Sequence, residues 1–341
     1  MAQINKPNEY FNTVLYAGNN STQSITGVNF QPDLVYVKGR NTSLKYPTMF
    51  DSVRGATKRL TTFSTNAEDT HPTMLSSFDS DGWTSGADDQ TNASGTNYVC
   101  WNWLAGGTAV SNTDGDMTSS VSANTTSGFS IATYTGDGAN GSTFGHGLGV
   151  APKVVIIKTR SLGGEDWHFW YNNTTRLNLN NTNLASALSP ISTSSTLVTT
   201  PSSTNDSWNG SGQTYVSYCF AEKKSFSKFG TYTGNGSTNG TFVYTGFTPA
   251  FILVKTTTVT INYWCLHDNK RTPYNQSNRV LYPDLADAEA NNAVFGIDFL
   301  SNGFKLRGTN DDHNESGTTY IYMAFAENPL VGTNNIPTTA R

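Results

Sequence analysis

The stretch "YVSYCFAEKKSFSKFGTYTGNGSTNGTFVYTG", residues 215–246, joins a run of alternating apolar residues to a glycine-rich turn and a second such run. The first run follows Ser-Gly in "SGQTYVSYCFAE". The same arrangement returns in "SGTTYIYMAFAE" from Ser316 and, more loosely, in "SGTNYVCWNWLAGG" from Ser94. Three copies of one pattern predict a chain that is built from a repeated unit.

A proline-led apolar run is the second block that occurs three times. It reads "FQPDLVYVK" at 30–38, "VAPKVVIIK" at 150–158 and "FTPAFILVK" at 247–255, and the proline always precedes the final lysine by six residues. Proline at the start of a strand leaves no ladder hydrogen bond unmade. A short run that is apolar on both faces is typical of a buried strand. We therefore expect a central strand, with the lysine emerging at its end.

Two more blocks occur in the first and third copies. "FDSDGW" at 78–83 and "FLSNGF" at 299–304 place Asp-Gly or Asn-Gly between aromatics, which predicts a tight β-hairpin. "FDSVR" at 50–54 and "HDNKR" at 267–271 place an acid three residues before an arginine, which indicates a local ion pair. The second copy has "WHFWYNN" at the corresponding place and lacks the acid.

Short apolar runs separated by turn residues, with few helical patterns, predict an all-β fold. The spacing favours three tandem antiparallel β-sandwich repeats of a jelly-roll-like kind. Residues 105–127 are rich in Gly, Ser and Thr and predict a linker. The predicted boundaries are 1–104, 128–225 and 226–329 for the repeats, 105–127 for the linker and 330–341 for an extended tail.

A polar loop precedes the last strand of each copy. It reads "DDQTNASGTNY" from Asp88, "NDSWNGSGQTY" from Asn205 and "NDDHNESGTTY" from Asn310. Asp and Asn side chains bind their own backbone in Asx-turns, so a shared loop shape accounts for the pattern. Calcium is the alternative, because carboxylate and carbonyl oxygens concentrate in these loops. The carboxylates that would bind it are Asp89, Asp206 and Asp312.

Trp208 lies inside the second polar loop, where an exposed aromatic side chain is costly unless it meets a partner. Aromatic rings also stack on the apolar faces of sugars. We therefore take Trp208 as a candidate receptor contact, together with the loop asparagines Asn92, Asn209 and Asn314.

The sequence indicates no cofactor and no catalytic centre. The three cysteines, Cys100, Cys219 and Cys265, lie far apart and form no CxxC pair, so neither a disulfide framework nor a zinc site is predicted. The five histidines stand in no metalloprotease or hydrolase motif, and no phosphate-binding loop follows a strand. We expect a protein without enzymatic activity.

The charge pattern gives little reason to expect a polyanionic partner. Only 13% of the residues are charged and the net charge is −4, whereas nucleic-acid binding depends on clustered Lys and Arg. No apolar run approaches the roughly 20 residues that span a bilayer. Neither nucleic-acid binding nor membrane insertion is predicted.

Several of these blocks, taken together, resemble a family of proteins encoded by tailed bacteriophages, largely marine ones. The resemblance covers residues 4–329 and is carried by "FQPDLVYVKGRN", "FDSVRGA", "YVSYCFAEKKSFSKFGTYTGNGS", "VYTGFTPAFILVK", "IDFLSNGFKLRG" and "TYIYMAFAENP". It implies a virion component, tail-fibre-like or uncharacterised, that is assembled in the host cytoplasm. It brings no established functional residues.

The resemblance and the residues together lead to a ranked expectation of function. First comes a non-enzymatic, tail-associated fibre, knob or adhesion module that contacts the host surface. The alternative is a capsid decoration protein that stabilises the shell, and a lectin-like glycan-binding module ranks third. The expected partners are other virion proteins, further copies of the chain in a homo-oligomer, with a trimer favoured, and a host surface glycan or protein.

Overall fold

The computed structural model describes residues 3–203 and 205–331. The fold is all-β and its sheets are antiparallel, as predicted. Within the described residues the α-helices are two single turns, α1 (Asp89–Asn92) and α2 (Asp311–Asn314). Two short 3₁₀-helices lie at Pro7–Glu9 and Ala293–Phe295. The predicted tail lies outside the described residues from position 332 onward.

The first segment, residues 3–104, contains a six-stranded and a three-stranded sheet. The six-stranded sheet has the order β1-β9-β3-β4-β5-β6, and the smaller sheet has the order β2-β8-β7. The strands are β1 (Phe11–Ala17), β2 (Gln23–Thr26), β3 (Leu34–Gly39), β4 (Thr48–Asp51), β5 (Lys58–Thr61), β6 (Asp69–Thr70), β7 (Ser77–Asp79), β8 (Gly82–Ser85) and β9 (Asn97–Trp103).

The second segment, residues 105–225, contains a seven-stranded sheet, β10-β11-β12-β19-β14-β15-β16, and a three-stranded sheet, β13-β18-β17. The strands are β10 (Val110–Asn112), β11 (Ser119–Asn124), β12 (Phe129–Thr135), β13 (Thr143–Gly145), β14 (Val154–Thr159), β15 (His168–Tyr171), β16 (Thr175–Asn178), β17 (Ser192–Thr193), β18 (Leu197–Thr199) and β19 (Thr214–Phe220).

The third segment, residues 226–331, contains a four-stranded sheet, β20-β28-β22-β23, a three-stranded sheet, β21-β27-β26, and the pair β24-β25. The strands are β20 (Ser227–Thr233), β21 (Phe242–Tyr244), β22 (Phe247–Thr256), β23 (Cys265–Asp268), β24 (Arg279–Val280), β25 (Ala290–Asn291), β26 (Ile297–Leu300), β27 (Gly303–Leu306) and β28 (Thr319–Pro329).

The prediction of a linker at 105–127 is wrong for β10 and β11. These strands extend the large sheet of the second segment, because β11 pairs with β12 over its whole length. Ladder hydrogen bonds need no apolar side chain, so a Ser/Thr-rich stretch can join a sheet edge when a few apolar residues are buried. Val121 is one such buried residue. Asp33 ties the start of the stretch to the first segment, because its Oδ2 accepts from Ala105 N at 2.8 Å and Gly107 N at 3.1 Å.

One strand order recurs in the three large sheets: β1-β9-β3-β4, β12-β19-β14-β15 and β20-β28-β22-β23. The proline-led strands β3, β14 and β22 each lie between two others, as predicted. The two hairpins are also confirmed, with Asp79 opposite Gly82 and Leu300 opposite Gly303. The lysines at the ends of the proline-led strands do not emerge, however, because Lys38, Lys158 and Lys255 are all buried.

Apolar side chains are buried in two kinds of core. Within each segment a separate cluster lies between the large and the small sheet. The other faces of the three large sheets contribute to one shared cluster that contains Trp103, Phe220 and Phe325 from the three segments. An apolar cavity of ≈ 50 Å³ lies within this cluster and is lined by residues of all three segments. The shared cluster makes the three segments one body.

The first and second segments meet at a buried carboxylate. Asp51 pairs with Arg54 inside the first segment, as predicted, and its Oδ2 accepts a 2.7 Å hydrogen bond from the Tyr218 hydroxyl of the second segment. Arg160 of the second segment binds Glu68 through Nε and Nη2, both at 2.9 Å, and Arg54 reaches the same carboxylate at 3.1 Å. The second segment therefore completes a polar cluster of the first.

The first and third segments meet in the same manner. Asp268 pairs with Arg271 at 2.6 Å, as predicted, and accepts a 3.1 Å hydrogen bond from the Trp101 indole of the first segment. Glu289 then accepts from Arg271 at 3.0 Å and from Arg40 of the first segment at 3.1 Å. Trp101 and Tyr218 occupy equivalent positions in their sheets. Each pairs with the residue that lies two before the final lysine of the neighbouring proline-led strand.

The contact between the third and second segments lacks this ionic cluster. Tyr171 stands at the aspartate position, Met323 at the donor position and Thr257 at the position of the crossing arginine. One polar contact is the 2.9 Å hydrogen bond from the Trp264 indole to the Asn178 carbonyl oxygen. A groove of ≈ 360 Å³ opens beside this contact. Each segment thus contacts the other two, and the three contacts form a closed ring. Two of these contacts contain a buried ionic cluster and the third does not.

We expect the whole chain to unfold in a single cooperative transition. Each large sheet covers its neighbours' apolar faces in the shared cluster, so no segment can unfold without exposing the others. Differential scanning calorimetry should show one peak whose calorimetric and van't Hoff enthalpies agree. Two or three separable transitions would contradict a shared core.

Tyr218→Phe should lower the free energy of unfolding by about 1.5–3 kcal/mol, because a buried carboxylate loses a hydrogen-bond donor. The matched control at the third contact is Met323→Leu, a volume-conserving change that should cost less than about 1.5 kcal/mol. Urea denaturation of both variants measures the difference. A Tyr218→Phe variant as stable as the wild type would show that the cross-segment bond contributes nothing.

Candidate functional site

The loop asparagines hold the backbone together. Asn209 donates from Nδ2 to Asp137 Oδ1 at 2.8 Å and to the Ala139 carbonyl oxygen at 2.7 Å, and its Oδ1 accepts from Asp137 N at 3.1 Å. Asn92 and Asn314 make corresponding bonds to the turns after β1 and β20. All three side chains are buried. The prediction of a shared loop shape is confirmed, and the burial of all three amides argues against the predicted receptor contacts.

A tyrosine hydroxyl bridges two backbone groups of each polar loop. The Tyr215 hydroxyl accepts from Gly210 N at 2.7 Å and donates to the Asp206 carbonyl oxygen at 2.7 Å, and Tyr98 and Tyr320 act in the same way. Glycine is required at Gly136, where a Cβ atom would lie 2.3 Å from the Gly210 oxygen. The repeated Tyr, Asn and Gly signals therefore encode loop closure.

The three calcium candidates lie in different surroundings. Asp89 is 88% exposed and its carboxylate binds the Lys45 ammonium at 2.6 Å, where a cation would have to compete. Asp206 is exposed, and Asp312 is buried and accepts from Tyr263 N at 2.8 Å. Within the described residues, none of them belongs to a group of three His, Cys, Asp or Glu side chains close enough to share an ion. The geometry gives calcium no support.

The expectation that Trp208 is exposed is wrong. Its side chain is 2% exposed and its indole donates to the Ser203 carbonyl oxygen at 3.0 Å. It packs edge-on against His168 and Trp170, and the Arg176 guanidinium lies 5.6 Å from its ring centroid. The polar loop folds back over the sheet, so this aromatic residue fills a core position and does not face a glycan.

Trp208→Ala should destabilise the protein by about 3–5 kcal/mol, because it leaves a cavity where a large buried side chain stood. Chemical denaturation measures the change, and receptor binding has to be compared at equal folded fraction. A variant of unchanged stability that loses binding would restore Trp208 as a contact residue.

Burial shifts the pKa values of the repeated lysines. It lowers the pKa of Lys38 to about 7 and that of Lys158 to about 8, and it also lowers the pKa of Lys255. Each ammonium group donates to backbone carbonyl oxygens. Lys38 donates to Leu285 of the third segment. Lys158 donates to Thr65 of the first segment and to Glu165 of its own segment. Lys255 donates to Asn262, which belongs to the same segment.

An exposed aromatic pair lies on the outer face of the small sheet in the third segment. Phe242 and Tyr244 alternate with the buried Val243 on β21, and they are 44% and 57% exposed. Phe242 lies opposite Lys305 on β27, and the Lys305 ammonium donates to the Asn239 side chain at 2.7 Å. Two aromatic rings and a polar rim thus share one accessible face.

The other two segments carry no aromatic residue at these positions. The corresponding strands present Ser24 and Thr26 in the first segment and Thr143 and Gly145 in the second. The sequence pattern alone does not reveal the pair, because "TFVYTG" indicates a strand without indicating which of its side chains are exposed. Comparing it with "QSITG" at 23–27 would have revealed that only the third copy places aromatics at the alternate positions.

The structure also brings together Cys265, His267 and His313, which sequence reasoning treated as scattered. Cys265 and His267 lie two residues apart on β23, whereas His313 belongs to α2 and is far away in the sequence. The fold brings His313 to the other two side chains, so no local sequence motif predicts the cluster.

A model of a protein family matches residues 6–329, nearly the whole chain, and the family is described as a domain of unknown function, DUF7483. The chain belongs to this family. The match spans all three segments, in keeping with the shared core. The search of curated proteins found no match, and the search of solved structures found none. No helix within residues 3–203 and 205–331 is long and apolar enough to cross a membrane.

Proposed function

We propose that this DUF7483 protein is a non-enzymatic structural component of a tailed bacteriophage virion, assembled in the host cytoplasm. Its role is that of a tail-associated adhesion module that contacts the host surface. The single observation that carries the adhesive role is the pair Phe242 and Tyr244, which are both exposed on the outer face of the small sheet. The phage assignment rests on the sequence resemblance described above.

A sugar fits this face on physical grounds. Aromatic rings stack on the apolar faces of pyranose rings, and neighbouring polar groups bind the hydroxyls. Here Lys305 and Asn239 supply an ammonium group and an amide beside Phe242. Because β21 is an edge strand, one side of the pair is open to a ligand. We therefore propose a host surface glycan as the ligand.

For the fold we propose three tandem antiparallel β-sandwiches of a jelly-roll-like kind. The recurring strand order and the separate cluster between the large and small sheets of each segment support this arrangement. A virion protein benefits from such a body, because a rigid scaffold holds its surface loops in fixed positions.

Other virion proteins and further copies of the chain are the proposed assembly partners, with a homotrimer favoured by the symmetry of phage fibres. The shared core is complete within one chain. A trimer would therefore form through outer surfaces. The mass of the purified chain in solution, measured by light scattering, tests the trimer directly.

The adhesive surface is tested by the double variant Phe242→Ser with Tyr244→Thr, which gives the third segment residues of the kind found in the first. We expect binding of the labelled full chain to host cells and to a glycan array to fall about tenfold or more, because both stacking contacts are lost. The thermal transition should change little, since both side chains lie at the surface.

The matched control is Tyr274→Thr, which removes another exposed aromatic residue of the same segment. Unchanged binding by the double variant, or an equal loss in the control, would contradict the proposed surface. Quantitative blotting of purified virions tests the virion role independently. A few copies per particle support a tail position, copies in capsid numbers indicate decoration, and absence from particles rejects the virion assignment.

A further inference from the structure

We propose that Cys265, His267 and His313 form a binding site for a transition-metal ion of the zinc class. The Cys265 Sγ and one nitrogen of each imidazole all lie within 4.8 Å of one another, and the three residues are buried. Modest side-chain rotations bring three such atoms to the distances of a shared ion. This site is independent of the proposed adhesive function.

Unpaired nitrogens provide a second observation. His267 Nδ1 and both ring nitrogens of His313 are buried without a hydrogen-bond partner. A buried polar atom without a partner destabilises the folded chain, so three such atoms in one place need an explanation. A metal ion accepts a lone pair from each imidazole and removes most of this cost.

The hydrogen bonding of His267 fits a ligand role. The backbone of Arg279 forms a hydrogen bond with this ring, while Nδ1 stays unpaired. Metal-binding histidines commonly donate their other ring N–H to a backbone carbonyl, which fixes the tautomer and orients the ring. One nitrogen of His267 is therefore held by the backbone, and Nδ1 remains available to a ligand.

The corresponding positions of the other segments show that packing does not require these residues. The first segment fills them with Thr48, Phe50 and Thr91, and the second with His168, Trp170 and Trp208. In the second segment the rings of this set pack against one another. Three metal-binding side chains occur together only in the third segment, among the described residues.

The donor set selects the kind of metal. Thiolate sulfur and imidazole nitrogen favour Zn²⁺ and related transition ions, whereas Ca²⁺ and Mg²⁺ favour oxygen ligands. Three protein ligands leave the fourth tetrahedral position to a solvent molecule. Because the cluster is buried, we expect the ion to enter during folding and to be released slowly from the native chain.

The full chain should be produced in medium supplemented with Zn²⁺ and, separately, with Co²⁺, then desalted and analysed by mass spectrometry of its metal content. We expect about one ion per chain, as structural metal sites give. The cobalt form should show the thiolate charge-transfer and intense visible bands of a tetrahedral site. It should also melt at a higher temperature than protein made without added metal.

Cys265→Ser and His313→Gln should each lose most of the bound metal and, for Cys265→Ser, the charge-transfer band. Cys219→Ser is the matched control, because it removes a buried thiol of another segment and should keep both. If the cluster variants fail to fold, the wild-type cobalt spectrum still decides. Metal-free wild-type protein from both media, a cobalt spectrum without a thiolate band, or full metal retention in Cys265→Ser would overturn the proposal.

Discussion

The structure depends on buried carboxylates that one segment supplies and another completes. A charged Asp51 inside the protein is tolerable only when its hydrogen bonds are satisfied. Removing one partner of a buried ion pair destabilises the fold by more than the complete pair stabilises it. Arg54 satisfies one side, and Tyr218 of the next segment satisfies the other. A single segment would therefore expose an apolar sheet face and leave a buried charge without its donor. Both effects require the segments to fold against one another.

The three contacts of the ring differ in a way that favours one arrangement. Two contacts use a buried aspartate, an arginine and a donor from the neighbour, whereas the uncharged Tyr171 and Met323 stand at the equivalent positions of the third contact. The ion pair that crosses the third contact, between Lys228 and Glu222, is partly exposed. Buried ionic groups penalise a mismatched neighbour more strongly than apolar or exposed contacts do. We infer that the two buried ionic contacts set which sheet faces lie together and that the third contact follows from them.

The sequence predicted the elements better than their relations. Strand pairing within a segment follows from local alternation and turn chemistry, so the proline-led central strands and both hairpins were predicted correctly. The burial of Lys38 was not, because only the neighbouring segment supplies the Leu285 carbonyl oxygen that its ammonium needs. The linker was misjudged because β11 owes its place to backbone pairing and a few buried residues such as Val121. Trp208 was misjudged because the fold of its loop decides its exposure.

Repetition within one chain also separates structural residues from candidates for function. Asn92, Asn209 and Asn314 occupy one position in all three copies, and each donates to a carbonyl oxygen of the turn beside its loop, so their polar character needs no ligand. Where a single copy departs from the others at a cost, packing no longer explains the residue. The pair on β21 is exposed, and three ring nitrogens of the imidazoles near Cys265 lie buried without hydrogen-bond partners. Both departures fall in the third segment, so the two proposed sites lie in the same copy of the shared scaffold.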